Sequence, residues 1–109
     1  MKLRLLVNRL NKRVTIRRQI WRDNSMGARE QDWEDYVTVW AGVEPLRGQE
    51  FFVAQRSEAD VTTRIRIRYR ADVDRSMMVR FDGVEFEIMY IIHPEFNKRE
   101  LQLMCRERQ

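Results

Sequence analysis

Val61-Thr-Thr-Arg-Ile-Arg-Ile-Arg-Tyr-Arg70 decides the fold class of this chain. Val61, Thr63, Ile65, Ile67 and Tyr69 fall on one side of a period of two; Thr62, Arg64, Arg66, Arg68 and Arg70 fall on the other. Successive side chains of a strand point to opposite faces, so the spacing predicts a half-buried strand with an arginine ladder outside. A helix would scatter both sets. Neighbouring segments read the same way. Val14 and Ile16 flank Thr15, and residues 19–21 extend that run. Residues 36–44 are rich in Val, Thr and aromatics, which suits a pleated, packed surface. Residues 77–81 and 84–92 flank Asp82-Gly83, the strongest short hairpin signal. Residues 100–106 close the series with Leu101, Leu103 and Cys105 on one face. About six strands joined mostly by short turns predict an all-β fold, a small antiparallel barrel or sandwich. Closure has a physical attraction, because open edges on a short basic sheet invite edge-to-edge pairing.

Two connections are longer. Residues 22–35 hold Asp23-Asn-Ser-Met-Gly27 followed by Gln31, Asp32 and Glu34, and read as a polar, mobile excursion. Residues 48–60 carry Glu50, Phe51, Phe52, Val53, Ala54, Gln55 and Arg56 with no Gly or Pro after Gly48, which predicts a short or conditional helix. Long connections in so small a domain are usually functional or disordered. Adjacent residues on a helix diverge by about 100°, so Phe51 and Phe52 cannot both face one core. One ring is expected inside and the other exposed or set against a partner.

The chain has 109 residues, one domain's worth, since a second core would need roughly twice the length. Of its 21 cations only Lys2, Lys12 and Lys98 are lysine, leaving 18 arginines against 17 carboxylates and a net charge of +4. Arginine forks onto carboxylates and phosphates where lysine acts as a point charge. Three readings of Arg64, Arg66, Arg68 and Arg70 therefore stand together. They pair within the chain with Glu85 and Glu87, they form ion pairs between subunits, or they meet nucleic-acid phosphates. Single-strand binding usually adds stacking aromatics beside the cations, and Tyr69 lies on the opposite face.

Other chemistry is short of parts. One cysteine (Cys105) and one histidine (His93) cannot build a zinc cage or an internal disulfide within one chain. Cys105 reads as a buried thiol, His93 before Pro94 as a turn residue. The four glycines stand apart, so no phosphate-cradling loop forms. Asp35 beside Glu34, and Asp72 near Asp74, read as turn and solvation carboxylates. At the N-terminus Arg4 is followed by only Leu5-Leu6-Val7, too short for a signal-peptide core, and no later stretch approaches a membrane span. No cofactor, metal or membrane partner is expected.

In order along the chain stand Leu10-Asn-Lys-Arg-Val-Thr-Ile16, Asp23 to Gly27, and Trp33 with Val39-Trp-Ala-Gly-Val-Glu-Pro-Leu-Arg-Gly-Gln-Glu50. Thr63-Arg-Ile-Arg-Ile-Arg-Tyr-Arg70, Met78-Val-Arg-Phe-Asp-Gly83, Phe86-Glu-Ile88, Asn97-Lys-Arg-Glu-Leu-Gln-Leu103 and Cys105-Arg-Glu107 follow. The series resembles the tailed-phage head–tail joining (head-closure, or stopper) family over nearly the whole chain. That resemblance implies a small β-barrel of the virion neck, with no catalytic residues, assembled in the bacterial host cytoplasm. Copies would form a homo-oligomeric ring below the portal and its adaptor. The ring would retain the packaged double-stranded DNA, which passes transiently through its channel, and offer a docking surface to a tail-completion or tail-tube protein. Gln49, Glu50, Phe51, Phe52 and Arg56 would then belong to an interface or channel loop. Arg64, Arg66, Arg68 and Arg70 would form an interface or DNA-proximal face. The competing expectation is a stand-alone nucleic-acid-binding barrel that uses the 64–70 face.

Overall fold

A computed structural model describes residues 10–57 and 60–108. The N-terminal stretch read against a signal peptide and the last two residues before Asp60 in the 48–60 connection lie outside these. Six strands form: β1 (Lys12–Asp23), β2 (Arg29–Pro45), β3 (Thr63–Arg68), β4 (Met78–Phe81), β5 (Val84–Ile92) and β6 (Glu100–Glu107). A helix, α1 (Gly48–Ser57), follows β2, and a 3-10 turn (Pro94–Phe96) precedes β6. All pairings are antiparallel, and the order β1-β2-β3-β6-β5-β4 closes into a barrel. Closure removes free edges from the body of the sheet.

The interior follows the alternation. Val14 and Ile16 from β1, Ala41 from β2, Ile65 and Ile67 from β3, Val79 from β4, Phe86 and Ile88 from β5, and Leu101, Leu103 and Cys105 from β6 form one buried cluster. Burial raises the Cys105 thiol pKa far above its ordinary value, so it stays protonated and inert. The Asp82-Gly83 hairpin forms as its sequence demands: Phe81 pairs with Val84, and both turn residues take positive φ (53° and 78°), the type I′ requirement.

Three departures have physical reasons. The decisive strand is shorter than its alternation, starting at Thr63 and ending at Arg68. Val61 is buried, but in a second cluster with Leu46, Ala54 and Met104 on the outside of the wall, beneath α1. A shift of register between Ile88 and Tyr90 turns Tyr90 and Ile92 towards that cluster, as a bulge does by letting two residues oppose one.

The third departure concerns residues 22–35, expected as a polar excursion. They are the far half of a β-hairpin in which only residues 24–28 turn. The Asn24 Oδ1 accepts from the Met26 and Ala28 amides at 2.9 and 3.0 Å, and Gly27 takes φ 81°. Ion pairs Arg18–Glu34 and Arg22–Asp32, each 2.7 Å, cross the ladder. From Arg18–Glu34 to Asp23–Arg29 each strand pairs only with the other. This ribbon therefore leaves the barrel with both faces towards solvent, and such a strand needs no apolar alternation, which is why its sequence resembled a loop.

Candidate functional site

Because Thr63, Ile65 and Ile67 point inward, β3 presents Arg64, Arg66 and Arg68 on the outer wall. The register sets Glu44 of β2 opposite Arg64 on one side, and Met104, Gln102 and Glu100 of β6 opposite Arg64, Arg66 and Arg68 on the other. Arg66 is held between two carboxylates: its Nε donates to Glu44 at 2.6 Å and its Nη1 to Glu100 at 3.1 Å. Arg64 bridges Glu44 (3.7 Å) and Glu50 in the first turn of α1, so one guanidinium ties strand to helix.

Both side chains are only 13% exposed, which makes this a covered charge network rather than a solvated ladder. Burial works against the Arg66 charge, but Glu44 and Glu100 outweigh it and its pKa lies above the ordinary value. Arg64 is lowered by burial and by the Arg66 charge, and its buried Nε has no hydrogen-bond partner. Glu85 and Glu87, the expected partners, serve Arg17 (3.4 Å) and Arg106 (3.0 Å) instead. The strand order explains this: β6 lies between β3 and β5.

The other two arginines diverge. Arg68 is exposed and has no ion pair among the described residues. Arg70 lies beyond β3 and grips Asp72 with Nε and Nη2 at 3.1 and 2.9 Å, while the Tyr36 hydroxyl donates to the same carboxylate at 2.5 Å. Arg70, then Tyr36, pulls the Asp72 pKa from 3.8 to about 2. A carboxylate lowered in the folded state contributes stability above its unfolded pKa and loses it as pH falls through the folded one. Asp72 is thus expected to favour the fold above about pH 4 and to lose that contribution towards pH 2. NMR titration of its carboxyl carbon should give a midpoint near the lower value, and Tyr36→Phe should move the midpoint upward.

On α1, Gln49 is exposed, and Glu50, also on the surface, reaches Arg64. Phe51 is half-buried against the second cluster, whereas Phe52 is 64% exposed, its ring edge-on to Phe51 at 5.9 Å. The two rings divide as helical spacing requires. Val53 is exposed beside Phe52, and Arg56 is exposed without an ion pair among the described residues. Gln55 secures the return of the chain, donating to the Val61 carbonyl at 2.8 Å and accepting from the Asp60 amide at 3.1 Å.

The structure therefore joins Glu50 with Arg64 and, through Glu44, with Arg66, and leaves Phe52, Arg56 and Arg68 exposed, the two arginines without an ion pair among the described residues. Sequence reasoning missed Glu44 and Glu100. Their signal was strand position, since both stand on strands flanking β3, but it is readable only once the strand order is known. Among the described residues no three His, Cys, Asp or Glu side chains come together as a metal site.

The architecture defines the class: a closed six-stranded antiparallel barrel carrying an external helix and a projecting ribbon. The chain belongs to the phage head completion protein family, which it matches over residues 5–108. It is thus a structural protein of the phage head and not a member of an enzyme family. A Shigella flexneri 2a protein solved in solution is similar at 28% identity and TM-score 0.74, the alignment covering 93% of this chain and 95% of that one. A chain from the virion of a native gene transfer agent particle shares the fold at 21% identity and TM-score 0.61, over 92% and 96% of the two chains. No curated protein matches the sequence.

Proposed function

We propose that the chain forms a homo-oligomeric ring in the virion neck, below the portal and adaptor, which closes the DNA-filled head and receives the tail. The observation that carries this reading is family membership across nearly the whole barrel. The pairing of Arg64 and Arg66 within the subunit supports it, because cations already held by Glu44, Glu50 and Glu100 are poorly placed to grip phosphates. A channel that passes DNA works best without a tight hold on it. Gln49, Phe52, Val53 and Arg56, spaced along the outer side of α1, supply the face for a neighbouring protein, while Glu50 ties the first turn to Arg64.

Electron microscopy of heads with and without the protein tests this directly. A ring beneath the portal, and loss of packaged DNA when the protein is missing, are expected. Titration of the purified chain with duplex DNA across a salt series tests the stand-alone nucleic-acid reading. Weak binding at physiological salt is expected; submicromolar affinity with a steep salt slope, and no ring on heads, would overturn the proposal in favour of a DNA-binding barrel.

A further inference from the structure

We propose that the β1–β2 ribbon is an arm that docks onto an arginine-flanked tryptophan basin on the next copy of this chain, and that this contact sets the head-to-tail interface. The inference rests on the ring reading and adds its two complementary surfaces.

The arm comes first. A two-stranded ribbon alone in water is marginally stable, and this one bears large apolar side chains. Trp21 is 59% exposed, with the Arg29 guanidinium over its ring at 5.5 Å, and Met26 at the turn is 90% exposed. Near the ribbon's end Asp23, on the face of Trp21, and Glu30, on the opposite face where the ladder pairs it with Arg22, have no ion pair among the described residues. Asp23 has no polar side-chain partner there, and Glu30 accepts only from the Asn24 amide, at 3.0 Å. An aromatic anchor at the end of an arm with an unpaired carboxylate on each face is suited to a basic, apolar-floored receptor.

The same chain offers one. Trp40, 52% exposed, lies on the outer wall with Arg13 stacked on its ring at 4.9 Å. Two adjoining hollows, of about 370 and 410 Å³, share Trp40 and Arg68; Arg13 and Tyr69 line one, Leu10 and Asn11 the other. Lys12, Arg13 and Arg68 have no carboxylate partner among the described residues, although most other arginines of the wall do. Three unpaired cations thus stand together round Trp40, where their own chain's Asp23 and Glu30 do not reach.

They do not reach for a geometric reason. The ladder pairs Arg13 with Trp40 and Trp21 with Gln31. Eight residues of strand, about 26 Å, separate the two points. A continuous antiparallel ladder cannot fold back on itself over that span, so an arm seated in the basin must come from another copy. Two different surfaces meeting in this way make a heterologous contact, the kind that propagates round a ring.

The test uses full-length protein in assembled heads. Asn11→Cys combined with Met26→Cys should give, on mild oxidation, a ladder of disulfide-linked multimers; native Cys105 is buried and silent. Either substitution alone should give no multimers above dimer. Separately, Arg68→Glu should cut incorporation into heads at least tenfold, and so should Asp23→Arg with Glu30→Arg. Combining all three should restore it to within about threefold. Normal copy number and a visible ring, with no ladder and no mutual rescue, would overturn the arm contact while leaving the ring reading intact. Wild-type heads without a ring would overturn the ring reading itself.

Discussion

Replacing Arg66 with alanine is expected to lower the unfolding free energy by about 2–3 kcal/mol, whereas Arg68→Ala should stay within about 0.5 kcal/mol of wild type. The two residues are successive outward positions of one strand, so propensity and strand context are nearly matched. What differs is what each side chain holds. Removing the Arg66 guanidinium, which lies 2.6 and 3.1 Å from Glu44 and Glu100, leaves Glu100 without a cation among the described residues and Glu44 with only Arg64, at 3.7 Å. Breaking a buried pair typically costs roughly 3–5 kcal/mol; Glu44 retains some access to water, which places this site somewhat below that range. In a domain of this size the loss is a fall in melting temperature of about 8–20 °C. The companion variant decides the cause. Arg66→Met with Glu44→Gln and Glu100→Gln removes all three charges and keeps the volume, and should recover most of the stability. If it remains as unstable as Arg66→Ala, the stabilisation comes from packing of the arginine stem rather than from charge pairing.

Arg66 also marks the boundary between what was legible in the sequence and what was not. Alternation at Thr63, Ile65 and Ile67 showed which face is buried, and Asp82-Gly83 placed a hairpin, because both signals are local. The partners of the outward arginines depend on strand order. Glu85 and Glu87 alternate convincingly, yet β6 comes between them and β3, and Glu44 and Glu100 take their place. The helix at Gly48–Ser57 was readable from its composition, and the separation of Phe51 from Phe52 from its pitch. Residues 22–35 were misread because a ribbon wetted on both faces has no apolar period. Its signals were subtler: Asn24 and Gly27 shape a tight turn, and arginines on one strand stand opposite acids on the other. The family resemblance drawn from the ordered motifs reached the right family, whereas Trp21 and Trp40 gave no sign in sequence that they would be exposed.

The second large effect separates stability from assembly on α1. Phe51→Ser is expected to destabilise the subunit by about 1–2 kcal/mol, less than the roughly 3–5 kcal/mol for a fully buried phenylalanine, because its ring is only half covered by the cluster of Leu46, Ala54, Val61 and Met104. Phe52→Ser removes a ring that faces solvent, so the melting temperature of the isolated chain should hardly move. In heads the order reverses. If Phe52 is an anchor for a neighbouring protein, its loss removes about 2 kcal/mol or more from each contact, close to thirtyfold in affinity. Identical contacts repeated round a ring multiply that loss, so Phe52→Ser should give heads that leak DNA or fail to join tails, with infectious titre down by orders of magnitude. Phe51→Ser should reduce titre only as far as it reduces folded protein, and growth at lower temperature should rescue it. The decisive measurement is the pair of curves, melting temperature and titre, for both variants. Phe52→Ser with a wild-type titre would show that the outer side of α1 faces nothing in the virion. Loss of the fold in Phe52→Ser would show instead that both rings belong to the core and that α1 is a fixed part of the barrel wall.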